Sequence, residues 1–329
     1  MMTVDFHCHS TASDGTFTPT ELAQKGAAFA AMAITDHDNC DGAEEFLALR
    51  SDRSVASPLR VAGIELSIEP GEGFDKFHLL GLGINPADAG LKAFLRRILD
   101  GRNARNERIL ANFRRLGIEM ADPDCPRQPS TALDSSRSTA VDGDRQQSTD
   151  SSRQPSTALD GNRTIFSYAH GEVLARPHFA RWLVDHGHAR DIPDAFERYL
   201  LADSPVETRC YEERWHPSQE EAFAVIHAAG GVCVMAHPRY WRDSWKRVGC
   251  DFAAAERGLA ALKEKGLDGV EALYQANTGE ENVEFVRIAT KLGYLKSAGS
   301  DFHGSNKAAI PLGMEVSEVY IQPLLERLK

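Results

Sequence analysis

Two pairs of potential metal ligands lie near opposite ends of the chain, and in each pair a single residue separates the two members. His7 and His9 form the first pair, and Asp301 and His303 form the second. Side chains two positions apart in a β-strand point to the same face, so each pair can offer two donor atoms to one ion. Imidazole nitrogen with carboxylate oxygen suits Zn²⁺, Mn²⁺ or Fe²⁺ better than Mg²⁺ or Ca²⁺. One such pair alone is weak evidence, so its weight depends on the rest of the set.

Five further residues of the same chemical types complete the set: Asp14, His37, Glu65, His78 and His237. The nine residues together are too many for one catalytic ion that keeps an open coordination position. They suit roughly two or three ions that share a bridging carboxylate. Neighbouring ions of this kind favour phosphoryl transfer, because they generate hydroxide near neutral pH and neutralise charge on the transferring group.

Three other acidic residues are less direct candidates. Asp36 and Asp38 flank His37, and we expect them at most to orient that imidazole. Glu271 ends a predicted strand and could be a further ligand, although a structural role is favoured.

Nearly all of the nine candidates lie at the C-terminal end of a short apolar segment typical of a strand. The predicted strands cover residues 3–6, 31–35, 59–64, 76–82, 232–236, 269–273 and 294–298. Predicted helices alternate with them, and the first begins at Thr18-Pro19-Thr20-Glu21, a capping box with Pro at the first helical position. This alternation predicts parallel strands joined by crossover helices. A barrel is favoured over an open sheet, because the strand ends of a barrel converge on one mouth where active sites form.

The middle of the chain differs from both flanks. A long arginine-rich helix is predicted over residues 91–116, and a small helical region from 165 to 201. Between them, residues 122–163 are low in complexity and contain the sequence RQPSTALD at 127–134 and again at 153–160. Such a stretch buries too little apolar surface to offset the entropy of ordering. We therefore predict a disordered insertion and assign it no function.

The overall composition excludes several classes of protein. The net charge of −11 argues against broad binding to duplex DNA, which needs a basic face. No stretch approaches the ~18 apolar residues of a membrane-spanning helix, and we expect no signal peptide, because no basic region followed by an apolar one begins the sequence. The six cysteines form no CxxC pair, which favours reduced thiols. We expect a cytoplasmic protein, and the sequence does not indicate its oligomeric state.

Seven short motifs carry the candidate ligands in a fixed order. They are Asp5-Phe6-His7-Cys8-His9-Ser10, Ser13-Asp14-Gly15, Thr35-Asp36-His37-Asp38, Gly63-Ile64-Glu65-Leu66-Ser67, Phe77-His78-Leu79-Leu80-Gly81, Ala236-His237-Pro238 and Gly299-Ser300-Asp301-Phe302-His303. Together they resemble the PHP (polymerase and histidinol phosphatase) family, over about residues 3–120 and 165–305. Within that family the chain is most similar to the bacterial nucleoside 3′,5′-bisphosphate phosphatases and to related exonucleases that trim RNA 5′ ends.

The resemblance implies an α/β fold, a distorted (β/α)7 barrel with a helical insertion domain after the fourth strand. On that pattern we expect residues 1–88 and 212–329 to form the catalytic barrel. Residues 89–211 would form the helical insertion domain, which includes the low-complexity segment 122–163.

The resemblance also implies a cluster of two or three divalent ions, Mn, Fe or Zn. The expected ligand groups are His7, His9, Glu65 and Asp301 for one ion, Asp14, His37 and His303 for a second, and Glu65, His78 and His237 for a third, with Glu65 bridging. A metal-bridging hydroxide would attack phosphorus in line. The expected catalytic residues are Asp14, His37 and His237. The leaving oxygen could take its proton from a bound water, from Asp14 or from a nearby histidine.

Arginines in the middle of the chain are candidates for binding substrate phosphate. Arg102 and Arg105 are three residues apart and share one face of the predicted helix. Their spacing resembles the Arg-x-x-Arg of similar enzymes, and Arg176 matches a second arginine position of those enzymes. Guanidinium groups pair bidentately with phosphate oxygens. The alternative is a solvated helix face, which we favour for the other arginines of this helix.

The expected function is therefore metal-dependent hydrolysis of a terminal phosphate. Its substrate would be a small nucleotide, such as a nucleoside 3′,5′-bisphosphate, or the 5′ end of a short single-stranded RNA. Three alternatives remain open. They are a histidinol-phosphate phosphatase, a non-catalytic accessory module, and an amidohydrolase that acts on C–N bonds.

Overall fold

The computed structural model describes residues 1–49, 58–69, 76–120, 164–168, 173–240 and 251–329. The predicted disorder of residues 122–163 therefore lies outside the described residues. Eight strands form one sheet: β1 (Met2–Asp5), β2 (Ala31–Ile34), β3 (Leu59–Ile68), β4 (Phe77–Leu82), β5 (Val232–Met235), β6 (Gly269–Tyr274), β7 (Leu295–Gly299) and β8 (Met314–Val316).

The sheet curls until its first and seventh strands meet. The strand order is β7-β6-β5-β4-β3-β2-β1-β8. Just beyond the paired part of β1, Phe6 N donates to Ala298 O over 2.9 Å and Asp301 N donates to His7 O over 2.7 Å. These bonds join the C-terminal ends of β1 and β7, so seven strands close into a distorted barrel. The α/β barrel predicted from the sequence is confirmed.

One strand does not follow the predicted parallel pattern. β4 runs antiparallel to both β3 and β5, with Ser67 opposite His78. The connection between β3 and β4, residues 69–76, is shorter than the dozen or so residues that a parallel crossover needs. As a result β4 begins at the mouth where its neighbours end. His78, the second residue of β4, therefore lies beside the strand-end residues after all.

Helices surround the barrel and extend from one side of it. They are α1 (Pro19–Lys25), α2 (Asp41–Ala48), α3 (Ala89–Arg115), α4 (Arg176–Asp185), α5 (Ile192–Ala195), α6 (Gln219–Ala228), α7 (Phe252–Glu264), α8 (Gly279–Lys291) and α9 (Glu318–Arg327). α1 begins with the predicted capping box, in which Thr18 and Glu21 bond each other's backbone N–H. No helix in the described part of the chain is long and apolar enough to cross a membrane.

One part of the apolar core lies inside the barrel. Val4, Phe6, Leu80 and Val234 pack together there. Ile321 of α9 belongs to the same cluster, so this helix covers one end of the barrel interior. The sequence did not predict β8 or α9, because β8 is only three residues long and α9 contains a proline.

A second core lies in the middle of the chain. Phe113 of α3 packs with Phe179 and Trp182 of α4 and with Tyr199, and all four side chains are buried. Buried aromatic groups of this size dominate the stability of a small core. The domain boundaries at residues 88 and 212 stay a prediction, since a separate core does not define where one domain ends.

Candidate active site

The nine predicted ligands converge at one mouth of the barrel, around Glu65. This side chain is 1% exposed, and five imidazoles face its two oxygens. Oε2 lies 3.4 Å from His7 Nε2, 3.2 Å from His9 Nε2 and 3.0 Å from His37 Nδ1. Oε1 lies 2.8 Å from His78 Nδ1 and 3.2 Å from His237 Nε2. We call these five histidines, with Glu65, Asp14, Asp301 and His303, the histidine–carboxylate cluster.

The other two carboxylates of the cluster lie on either side of His9. Asp301 Oδ1 lies 3.4 Å from His9 Nε2. Asp14 Oδ1 lies 3.8 Å from His9 Nδ1 and 3.3 Å from His303 Nε2. His37 Nε2 is 3.9 Å from the second oxygen of Asp14. Each acidic group of the cluster is therefore within reach of at least two imidazoles.

Three sets of donor atoms in the cluster are compact enough to hold an ion, with all atoms of a set within 4.8 Å of one another. The sets are His9, Asp14, His37 and His303; His7, His9 and Asp301; and His7, Glu65 and His237. They resemble the three expected ligand groups, with His9 shared between two sets and His78 beside the third. The assignment of particular ligands to particular ions stays a prediction.

Several donor atoms of the cluster also lack a hydrogen-bond partner, and a bound cation would coordinate them instead. His7 Nε2, both ring nitrogens of His9, His37 Nδ1 and Glu65 Oε2 are buried without a hydrogen-bond partner. Buried polar atoms normally have partners, so such atoms facing one another need an explanation. Imidazole nitrogen and carboxylate oxygen are suitable ligands for a divalent transition metal. The residues present therefore fit a metal site.

A different group of metal-type residues shows the contrast. His227, Cys233 and Asp268 also lie close together, at the end of α6 and beside β5. Here, however, Asp268 Oδ2 is 2.6 Å from His227 Nε2 and accepts the Cys233 N–H over 2.8 Å. These polar groups are hydrogen-bond partners of one another. We therefore interpret the group as a contact that links α6 to β5.

The electrostatics of the cluster couple the acids to the imidazoles. Burial alone would lower the pKa of His9, but Asp301 and Glu65 outweigh burial and raise that pKa to about 9. Burial would raise the pKa of Glu65, yet the surrounding histidines, His37 foremost, hold it well below its usual range. Glu65 and the His9 imidazole thus each favour the charged form of the other. Metal ligands must give up their protons, so a divalent cation bound here would compete with protons for these groups.

Backbone strain is concentrated at the mouth. In the described part of the chain, three residues other than glycine have a positive φ. They are Asp38, His237 and Asp301, with φ values of 57°, 28° and 56°. Such conformations cost about 1–3 kcal/mol each and persist where the surrounding structure enforces them, commonly at functional sites. Two of the three residues belong to the histidine–carboxylate cluster.

Asp36 and Asp38 do not orient His37, contrary to expectation. Asp36 accepts hydrogen bonds from Ser10 N over 2.8 Å and from Ser10 Oγ over 2.6 Å, and it also binds Ser13 Oγ. It therefore holds the turn that presents Asp14. The carboxylate of Asp38 is directed to arginines, because its backbone conformation turns the side chain toward α3.

The three predicted phosphate-binding arginines line one cavity of about 190 Å³, together with Asp14, His37 and His78. Arg102 and Arg105 reach it from α3, and Arg176 reaches it from the start of α4. A fourth arginine, Arg214, lines the same cavity and was not predicted. It lies in a segment without helix or strand, where no periodicity could have indicated its direction. We call these four residues the arginine pocket.

The four arginines differ in how their charge is balanced. Asp38 accepts from Arg102 Nε over 2.8 Å and from Arg214 Nη2 over 2.8 Å, on the same oxygen. Arg105 and Arg176 form no ion pair with any described residue, and Arg105 Nη2 is buried without a partner. Burial, with Arg102 nearby, lowers the pKa of Arg105 to about 8. Among the described residues, these two guanidinium groups of the cavity are thus not paired directly with a carboxylate.

Comparisons with known proteins agree with this geometry. The family model described as the PHP domain matches residues 5–108. A 3′,5′-nucleoside bisphosphate phosphatase from Chromobacterium violaceum is 30% identical over 318 residues, which cover 95% of this chain and 91% of that protein. The 5′-3′ exoribonuclease Rnm of Escherichia coli is 26% identical over 335 residues, 97% of this chain and 94% of that one.

A similar solved structure extends the comparison to the fold. It is a putative metal-dependent phosphoesterase from Bifidobacterium adolescentis, 25% identical, with a TM-score of 0.65. The match covers 98% of this chain and 96% of that one. The likeness therefore includes the described helices in the middle of the chain as well as the barrel.

Proposed function

The chain belongs to the PHP-domain family and is a metal-dependent phosphoesterase; from that premise we propose that it removes a phosphate from a small nucleotide that carries a second phosphate. A nucleoside 3′,5′-bisphosphate has that chemistry, and so does the 5′ end of a short RNA. The observation that carries the proposal is the arginine pocket, which adjoins the histidine–carboxylate cluster in one cavity.

The cavity lets one substrate reach both sites. Asp14, His37 and His78 belong to the cluster and also line the cavity, so they are placed to meet the phosphate that is cleaved. Arg105 and Arg176 line the same cavity without a carboxylate partner. A second phosphate at this position would gain charge-assisted hydrogen bonds from two guanidinium groups that form no ion pair with a described carboxylate. A substrate with a single phosphate would leave one of the two sites unused.

Aromatic side chains of the same cavity favour a nucleotide over histidinol phosphate. Phe196 and Tyr211 line the cavity, and the Arg176 guanidinium lies 5.5 Å from the centre of the Tyr211 ring. Aromatic rings and arginine planes stack on nucleobases with little sequence preference. The printed names of the two relatives, a bisphosphate phosphatase and an exoribonuclease, support the same substrate class.

We propose that two or three divalent ions of Mn, Fe or Zn are held by His7, His9, Asp14, His37, Glu65, His78, His237, Asp301 and His303. Such ions supply a nucleophile from water near neutral pH and neutralise charge on the transferring phosphoryl group. Glu65 contributes a central negative charge against which five imidazoles are held. Asp14 and His37 also line the cavity, so they would lie next to the phosphate that is cleaved.

A phosphate-release panel tests the proposal. Purified protein with added Mn²⁺ is given adenosine 3′,5′-bisphosphate, AMP, a short 5′-phosphorylated RNA and histidinol phosphate, and inorganic phosphate is measured. We expect the highest kcat/KM for a substrate with two phosphates and at least about a tenfold lower value for AMP, the equivalent of one charge-assisted contact. Activity confined to histidinol phosphate would reject the nucleotide assignment.

A further inference from the structure

Glu271 is a fully buried carboxylate on β6, with both of its oxygens engaged by residues of the histidine–carboxylate cluster. Its exposure is 0%. Oε1 lies 3.0 Å from His7 Nδ1. Oε2 accepts the backbone N–H of His237 over 2.6 Å. One side chain therefore joins two cluster residues that are far apart in the sequence.

We propose that Glu271 is a positioning residue that holds His7 and His237 in the geometry needed to bind the ions, without binding an ion itself. The inference rests on the proposed ligand assignment. It departs from the interpretation of Glu271 as a tenth ligand, because both oxygens point at groups that donate hydrogen bonds.

The contact with His7 sets the direction of the imidazole. A proton on Nδ1, donated to Glu271, leaves the Nε2 lone pair free. His7 Nε2 is the atom that faces Glu65 and Asp301, at 3.4 Å and 3.6 Å, and it has no hydrogen-bond partner. A carboxylate behind a metal-binding imidazole fixes its tautomer and increases its basicity. Glu271 has that position relative to His7.

The contact with His237 stabilises a strained turn. His237 has a φ of 28°, in the left-handed region that favours glycine. The hydrogen bond from its N–H to Glu271 fixes this backbone conformation, and the conformation brings His237 Nε2 to 3.2 Å from Glu65 Oε1. The strain is therefore tied to the placement of a candidate ligand.

Two features of the sheet make room for Glu271. The pairing of β6 with β7 shifts register between Glu271 and Leu273. Such irregularities commonly re-aim a side chain next to an active site. On β7, a Cβ at Gly299 would lie 2.3 Å from Glu271 Oε1 and 2.3 Å from His7 Cβ. Only glycine at position 299 lets the carboxylate approach the imidazole.

The test measures metal binding rather than turnover. Metal-free protein is titrated with Mn²⁺ alone, and the dissociation constant of each class of site is determined. The variant is Glu271→Gln, because an amide has one acceptor oxygen and cannot accept from both His7 and His237. The control is Glu281→Gln, a buried carboxylate that caps α8 through Thr278 and pairs with Arg239 rather than with a member of the cluster.

The expected result is selective. Two of the three compact donor sets contain His7, and the set of His9, Asp14, His37 and His303 contains neither His7 nor His237. Glu271→Gln should therefore weaken at least one class of site about 10–100-fold and leave at least one class unchanged. Gly299→Ala should give the same pattern by separating the two side chains, and the control should bind Mn²⁺ as the wild type does.

Either of two results would overturn the inference. Unchanged Mn²⁺ affinity in Glu271→Gln would show that the carboxylate does not support the ligands. Equal weakening of every class of site would show a general structural role instead. A wild-type protein that binds no Mn²⁺ would overturn the ligand assignment itself, and this outcome is distinguished from the other two by the wild-type titration.

Discussion

At the scale of single residues, two carboxylates each hold a different group of basic side chains. Glu65 gathers five imidazoles, whereas Asp38 neutralises Arg102 and Arg214 on one oxygen. Arg105 and Arg176 are then left with net positive charge. The structure thus separates arginines that pair with a carboxylate from arginines that do not, and residue type alone does not show this difference.

The Arg105→Gln variant tests that distinction. Loss of a charge-assisted hydrogen bond to phosphate costs about 1.5–3 kcal/mol, so KM for adenosine 3′,5′-bisphosphate should rise roughly 10–100-fold. The matched control is Arg108→Gln on the same helix, because Arg108 is exposed and pairs with Glu212. KM for AMP should change much less, since AMP has no second phosphate. An equal rise for both substrates would remove Arg105 from the second phosphate site.

Residue types and their order indicated that the nine cluster members would meet, because nearly all of them lie near the end of a strand that reaches the mouth. The same reasoning missed Arg214 and misjudged Asp38. Their roles depend on backbone conformations outside regular elements, a coil for Arg214 and a φ of 57° for Asp38. No pattern in the sequence encodes the direction of a side chain in such a segment.

At the scale of elements, the antiparallel direction of β4 is the main difference from the predicted parallel barrel. Apolar patterning gave its position, but a strand reads the same in both directions, and only the short link from β3 indicates the antiparallel pairing. His78 nevertheless lies at the mouth, since an antiparallel strand starts where its parallel neighbours end and His78 is the second residue of β4.

A backbone hydrogen bond connects the chain just after α3 with the chain that resumes after the low-complexity segment. Ile165 N donates to Met120 O over 2.7 Å, so the described residues on either side of the segment 122–163 are adjacent. Replacing this segment with a short Gly-Ser linker should therefore keep the fold. Loop closure depends weakly on length, so the free energy of unfolding should change by less than about 1 kcal/mol.

The linker variant should also keep kcat/KM for adenosine 3′,5′-bisphosphate within about twofold, because the four arginines of the pocket all lie outside residues 122–163. A variant with residues 122–163 in scrambled order is the control for chain length. A large rise in KM in the linker variant alone would show that length matters at the pocket. A rise in both variants would show that the sequence of the segment shapes the substrate site.

At the scale of the whole molecule, an acidic protein presents a locally cationic pocket. We expect the net charge of −11 to disfavour long nucleic-acid duplexes, and in the proposed function Arg105 and Arg176 would attract a compact phosphate. The barrel holds the cluster at its mouth, while α3, α4 and the coil that contains Arg214 bring the four arginines to the same cavity. The proposed function therefore places cleavage and recognition in two parts of the fold that share one cavity.

In the proposed function, divalent ions bound around Glu65 carry the hydrolysis. The most direct test is elemental analysis of purified protein, with the phosphate-release rate measured on the same sample. Wild-type protein should contain more than one transition-metal ion per chain. Glu65→Gln, which disturbs contacts to five imidazoles, should lose most of that metal and at least about 100-fold in kcat. Glu69→Gln, an exposed carboxylate paired with Lys76, should retain both. Metal-free wild-type protein with full activity, or a Glu65→Gln variant with unchanged metal content and rate, would contradict the account.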